Sequence, residues 1–316
     1  MGKISGGQIM RLVLVMLILM SWILGQNYSG YAGSFVGNGS SARAIALGNA
    51  LTAGSNLYYP AYYNPAGIAN TTKKKILFAH QFLTFDRRQS TLGATLPLPP
   101  IGGFSLGWIG SGVTNIQGRN LTGDKTEVLS AAEDLFAISF GIMPFQKLQI
   151  GATLKILKNR LPNINGEITG SGVGFDLGIL YSINNSLILA TVVKNLNAGY
   201  QWSNEIDKNL NRTYQDKFPI QLFTGFEFQK YNFLLVSDIG IYFVENDYLD
   251  SALRVGIEYA LAEDYFVRGG YFANHFAFGV GLELEQFNQI ESNIDYAIVI
   301  ERIGGLSHAI SYAVNF

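Results

Sequence analysis

Leu306-Ser307-His308-Ala309-Ile310-Ser311-Tyr312-Ala313-Val314-Asn315-Phe316 is the stretch that decides the fold. Every second residue is large: Leu306, His308, Ile310, Tyr312, Val314 and Phe316. The residues between them, Ser307, Ala309, Ser311, Ala313 and Asn315, are small or polar. Successive side chains of a β-strand point to opposite faces, so a period of two sets one face against an apolar medium and the other against something else. Two architectures produce that pattern: a barrel strand facing lipid, or the last strand of a soluble sandwich.

The rest of the chain favours the barrel. Val173, Phe175, Leu177, Ile179 and Tyr181 alternate with Gly172, Gly174, Asp176 and Gly178. Phe276, Phe278, Val280, Leu282 and Leu284 alternate with Ala277, Gly279, Gly281, Glu283 and Glu285. The same reading along the chain gives about fourteen strands. Their expected spans are 74–84, 88–98, 102–112, 132–143, 146–160, 170–183 and 186–195, then 216–229, 231–244, 249–261, 264–273, 275–286, 289–301 and 306–316. Short turns are expected at Asn184-Asn185 and Gln229-Lys230. Residues 113–131, 161–169 and 195–215 read as long polar loops at the opposite end. An even strand count returns both ends of the wall to one side. The expected fold is all-β: a transmembrane antiparallel barrel of about fourteen strands with a short N-terminal hatch segment.

Composition agrees. The chain of 316 residues is 48% hydrophobic and only 14% charged, against roughly 25% charged in soluble domains. Tyr (17) and Phe (21) far outnumber Trp (3), and Gly is abundant at 36, which suits aromatic girdles outside and small residues inside. A net charge of −1 leaves no broad basic face for nucleic acid. The absence of cysteine excludes disulfides, thiolate chemistry, Cys-based metal sites and a lipidated N-terminal Cys. Residues 1–25 read as a signal peptide: Lys3 and Arg11 precede the apolar run Leu12 to Leu24. That run is too short for an ordinary spanning helix. Cleavage is expected near Gly25, with an uncleaved anchor as the alternative. No later segment approaches the length of a membrane helix, so the chain crosses lipid with strands, if at all.

Residues 26–73 are not strand-like and form the expected hatch, with a periplasmic tail as the alternative. They hold Ser41-Ala-Arg43-Ala-Ile-Ala-Leu47-Gly48-Asn49-Ala50 and Tyr62-Tyr63-Asn64-Pro65-Ala66-Gly67-Ile68-Ala69. This pair of motifs resembles the opening of PorV/PorQ-type outer-membrane proteins, within the wider long-chain fatty acid transporter (FadL) superfamily. The strand that ends on Phe316 likewise resembles the closing strand of bacterial outer-membrane barrels. The resemblance implies an outer-membrane location and a hatch folded inside a barrel formed by residues 74–316. In the hatch motif Pro65 fixes φ, Gly67 can take a positive φ and Asn64 can cap the neighbouring backbone. The acidic stretch that often separates the two motifs in the family is replaced here by Thr52-Ala-Gly-Ser-Asn-Leu57.

No catalytic constellation, cofactor motif or metal-ligand spacing is present. His80, His275 and His308 lie in or beside different strands, with His80 and His308 near the seam where first and last strands meet. Gly170-Ser-Gly-Val-Gly174 precedes alternation and not a helix, so it reads as lumen-side glycine and not as a phosphate loop. Asp176, Glu227, Asp238, Arg254, Glu258, Arg268, Glu283 and Asp295 fall on the small-residue face, where intramembrane charges pair with one another. Arg43 is a candidate latch to a wall carboxylate. Arg43, Tyr58, Tyr62, Tyr63, Asn64 and Phe223 are the candidate ligand or hatch residues.

Two functions follow from the resemblance. One is an accessory role in type IX-like protein secretion, with secretion proteins docking on residues 113–131 and 195–215 and Tyr200 and Trp202 as anchors. The other is transport of hydrophobic small molecules through a pocket between hatch and wall. Membrane lipid is a partner in both.

Overall fold

The alternation of the closing strand becomes alternate burial in a computed structural model. Ser307, Ala309, Ser311 and Ala313 are buried, while Leu306, Ile310 and Tyr312 are exposed. That strand hydrogen-bonds on both sides, pairing Asn315 with Lys75 of the first strand and Glu291 with Asn315 on the other edge. The structure describes residues 30–163, 166–203, 214–245, 247–285, 290–302 and 305–316. The expected signal peptide, residues 1–25, lies outside the described residues.

Sixteen strands are present among the described residues. The first seven are β1 (Lys75–Phe82), β2 (Arg87–Leu98), β3 (Gly102–Arg119), β4 (Lys125–Phe145), β5 (Leu148–Asn163), β6 (Gly166–Asn184) and β7 (Leu187–Leu196). Then come two short strands, β8 (Gly199–Ser203) and β9 (Tyr214–Lys217). The last seven are β10 (Ile220–Lys230), β11 (Phe233–Val244), β12 (Asp247–Ala260), β13 (Tyr265–Phe272), β14 (His275–Glu285), β15 (Glu291–Glu301) and β16 (Gly305–Asn315). The wall runs β1 to β7, then β10 to β16, and closes through β16–β1. It is an antiparallel barrel of fourteen strands, in which no wall edge is left unpaired. β8 and β9 stand outside the ring as a hairpin attached to the upper part of β6. Lys74 and Phe316 exchange both backbone hydrogen bonds at 3.0 Å, so the two ends of the wall meet on one side.

The outer face is apolar. Phe78, Leu92, Phe140, Leu177 and Phe278 are each about half exposed to solvent on five different strands. A continuous surface of this kind is untenable in water and is what lipid requires. No helix among the described residues is long and apolar enough to cross a membrane.

The loop expectations need correction. Residues 113–131 are not a loop: β3 and β4 continue as a hairpin to a tight turn over Asn120–Asp124, closed by Gly123 N–H to the Asn120 carbonyl. β5 and β6 likewise extend through most of 161–169, and β8 and β9 occupy part of 195–215. Beyond the lipid layer no face needs to be apolar, so alternation fades while the backbone ladder persists. The turns also slip by one or two residues, falling at 185–186 and 231–232.

Inside the wall lies the N-terminal segment. It consists of the 3₁₀ turns Ser34–Gly37, Pro60–Tyr62 and Pro65–Asn70 and one short helix, Ala42–Ala46. Ser41 caps that helix by accepting the Ala44 N–H. Ala42, Ala44, Ala46, Leu47, Ala66 and Ile68 are wholly buried. Small residues on both surfaces permit this: Gly48 takes a left-handed φ of 64°, and a side chain there would strike the carbonyls of Val255 and Tyr271.

Candidate functional site

The lumen holds the inner segment by polar contacts from many of the wall strands. Arg43, on the short helix, makes a bidentate pair with Glu258 of β12: Nε to Oε2 and Nη2 to Oε1, both 2.9 Å. Arg268 of β13 donates to the same Glu258 at 2.5 Å and to Asp295 of β15 at 2.7 Å. The result is a buried chain Arg43–Glu258–Arg268–Asp295 in which each carboxylate meets a cation. Burial opposes the Arg43 charge, but Glu258 outweighs it and holds the guanidinium above its usual pKa.

Further contacts fix the rest of the segment. Asp238 of β11 accepts from both the backbone N–H and the hydroxyl of Thr52, at 3.0 and 2.8 Å. Glu227 of β10 accepts from the Ser55 backbone and hydroxyl. Tyr58 donates to Asn293 of β15 at 2.6 Å, and Lys194 of β7 donates to the Tyr62 carbonyl at 2.6 Å. Asn64 caps its own 3₁₀ turn through Ala66 N–H and reaches the wall carbonyl of Ile179 at 3.2 Å. Tyr63 receives the Ser40 N–H and donates to Asn49; its burial pushes the phenol up to about 12.

The candidate residues therefore divide. Arg43, Tyr58, Tyr62, Tyr63 and Asn64 all bind the inner segment to itself or to the wall. The structure brings Glu258, Arg268 and Asp295 together, and places Glu227 and Asp238 against the inner segment. Arg254 also reaches the inner segment, donating to the Asn49 carbonyl at 3.4 Å, and it stacks over Phe223, 4.1 Å from the ring centre, beside Tyr242. Glu283 stands opposite Asn293 in the β14–β15 ladder, near the Tyr58 contact. Asp176 pairs with Lys155 at 2.7 Å on the other side of the barrel. His80 and His308 do not bond to each other; they contact Ser90 and Tyr296 respectively. Among the described residues no group of acidic or histidine side chains is placed to hold a metal.

Three expectations are corrected. Gly67 is not at positive φ; it sits in a 3₁₀ turn, where Pro60 lies 3.1 Å from the place of a side chain. The expected apolar pocket is not open at Tyr58 and Tyr63, where the space they line is about 10 Å³, enough for one water. Phe223 is buried in a separate cluster with Val192, Tyr242 and Ala252. Tyr200, expected as an exposed anchor, is also buried, against Phe218 and Trp202, and donates to Glu133 at 2.9 Å.

Sequence reading missed Lys155, Lys194, Thr52 and Ser55. Lys155 was findable, since it occupies an inward position between the apolar Leu154 and Ile156. Thr52 and Ser55 carried no such signal.

The open space lies at the hairpin end. A vestibule of about 500 Å³ rests on Phe35, Asn38 and Ile45 of the inner segment and is walled by Leu83, Val113, Leu161, Phe272 and Val299. Beside it lies a second cavity of about 480 Å³, lined by Tyr31, Tyr200, Trp202 and Val244.

No protein-family model matches the sequence, and no curated protein does. Solved structures do match the fold. A monoaromatic hydrocarbon channel, CymD, aligns with a TM-score of 0.63 at 12% identity over 88% of this chain and 98% of its own. The Pseudomonas putida toluene transporter TodX gives 0.57 at 14% identity over 88% and 97%. A Pseudomonas aeruginosa FadL homologue gives 0.61 at 9% identity over 88% and 98%. The chain therefore has the FadL-like fold: a closed fourteen-strand barrel with a short helical N-terminal segment.

Proposed function

We propose that this protein is a non-enzymatic channel of the bacterial outer membrane that passes hydrophobic small molecules, with its N-terminal segment as the plug. The observation that carries the reading is the vestibule: a space large enough for a small organic molecule, walled in part by Leu83, Val113, Leu161, Phe272 and Val299, with the plug as its floor. The proteins that share the fold include a toluene transporter and a monoaromatic hydrocarbon channel. Arg43–Glu258 serves as the latch between plug and wall in this reading.

The second reading is an accessory role in secretion, as the PorV/PorQ resemblance implies. Its support is the pair of motifs at 41–50 and 62–69. Those residues are spent on packing inside the lumen, so they speak for a shared plug more than for a shared partner. Tyr200, one of its two docking anchors, is buried.

Mass spectrometry on the protein extracted gently from its native membrane separates the two. A barrel without protein partners that carries an apolar small molecule supports transport. Stoichiometric protein partners and an empty lumen overturn it in favour of secretion.

A further inference from the structure

The vestibule lining mixes apolar side chains with polar ones, Arg87, Arg254, His275 and Arg302 among them, and one polar group lies where three strands meet. β3, β4 and β5 bring Ser111, Glu133 and Asn159 into direct register, Ser111 opposite Glu133 and Glu133 opposite Asn159. Residues so placed on one face of neighbouring strands lie within about 5 Å of each other at Cβ. All three line the vestibule, and Glu133 and Asn159 also line the second cavity, so they form the sill between the two spaces. Asn159 is only 7% exposed, yet its amide oxygen has no hydrogen-bond partner. A buried polar atom left unpaired is costly, so a donor that reaches it is favoured. Glu133 uses one carboxylate oxygen to accept from Tyr200; the other has no partner among the described residues. The Ser111 hydroxyl reaches only a 3.4 Å contact with the Arg88 carbonyl.

We infer that Ser111, Glu133 and Asn159 form a polar subsite that reads a hydrogen-bond donor on an otherwise apolar ligand. The chemistry is one-sided. A carboxylate oxygen and an amide oxygen both accept, so they select an O–H or N–H over a plain hydrocarbon. The apolar side chains of the walls hold the body of the molecule, and the sill orients its polar end as it passes between the cavities. The inference rests on the channel reading and narrows its substrate class from hydrocarbons to apolar molecules with a donor, phenols being the simplest.

The test compares 1-naphthol with 1-methylnaphthalene, which differ in little but the O–H. Binding is followed by ligand fluorescence with the full chain in lipid nanodiscs, against empty nanodiscs. Naphthol is expected to bind about tenfold tighter, the scale of one hydrogen bond to a charged acceptor. Asn159→Leu and Glu133→Gln should each bring that preference to within about twofold while methylnaphthalene affinity stays unchanged. Glu133→Gln keeps an acceptor for Tyr200, so it serves if Asn159→Leu fails to fold. Equal binding of both ligands to the wild-type chain, or a preference that survives both variants, overturns the inference and leaves the channel reading standing. If neither aromatic binds, the channel reading itself fails and takes the subsite with it.

Discussion

Arg43 joins two parts of the chain that lie 215 positions apart. Its removal leaves Glu258 with a single cation, Arg268, in a mostly buried site. Breaking a buried pair outright costs roughly 3–5 kcal/mol, and the remaining Arg268 contact lowers that to about 2 kcal/mol. Arg43→Ala should therefore lower the temperature at which the folded barrel loses its compact electrophoretic mobility, and Arg43→Lys should recover part of the loss. A mobility transition that does not move means that the pair holds nothing. Both positions were legible, Arg43 from its motif and Glu258 from its place on the small face. Their pairing was not, because nothing local in either segment names a partner so far along the chain. At the tip of the β3–β4 hairpin, Asp124 accepts from Thr122 at 2.7 Å and Asn120 at 3.3 Å, and these bonds hold its carboxyl below the usual Asp value. A carboxyl with a depressed folded pKa contributes order above its unfolded value, near about 3.9, and loses it as pH falls through the folded one. Protection of the Gly123 N–H, its exchange rate relative to the unfolded chain at the same pH, should thus hold at neutral pH and fall only in acid below the ordinary Asp range. Asp124→Asn should remove that dependence.

The elements differ in how clearly they were written. Strands inside the lipid layer carry the period-two pattern because each residue there must choose between lipid and lumen. The spans expected for β11, β14 and β15 accordingly fall within a few residues of those observed. The upper parts of β3 and β4 face water outside, so Val113 to Ala131 show no alternation and read as loop although they form a hairpin. The glycines of β6 show the other limit. Gly170, Gly172 and Gly174 were legible as inward-facing, but not what fills the space they leave. That filler is the start of the β8–β9 hairpin: Trp202 lies over Gly170, Gly199 over Gly172 and Ala198 over Gly174. A side chain at residue 172 would sit 1.7 Å from the Gly199 carbonyl, a backbone atom that cannot swing aside. Gly172→Val should push the hairpin off β6 at a cost of about 1–3 kcal/mol, without opening the wall. The displaced hairpin would lift the Trp202 ring off Gly170 into water and shift its fluorescence to the red. An unchanged spectrum in a folded variant means that the hairpin is held from elsewhere.

At the scale of the whole molecule, the wall and the inner segment are separate structures that share side chains. The wall closes through backbone ladders alone, from β1 through to β16, and none of those bonds uses residues 30–73. The number of strands was legible because every wall strand repeats one pattern, and closure followed from the even count and the alternation of the last strand. The filling of the lumen was only partly legible, since it depends on where a non-repeating segment packs. Barrels of about eight strands fill their interior with side chains, whereas those of about sixteen to eighteen leave an aqueous channel. A wall of fourteen strands lies near the second group, so its interior must be occupied by something else to be shut. The inner segment supplies that occupant: Ala44, Leu47, Leu51, Tyr59 and Ile68 share one buried cluster with wall residues such as Leu77, Ile109, Leu135 and Leu157. Deleting residues 30–73 should therefore leave a barrel that still assembles, and expose Glu227, Asp238, Glu258 and Asp295 to a water-filled lumen. In planar bilayers the intact chain is expected to conduct ions weakly and the shortened one several-fold more. Equal conductance from two folded proteins would falsify the idea that this segment shuts the barrel, and would place the barrier among the hairpins above it.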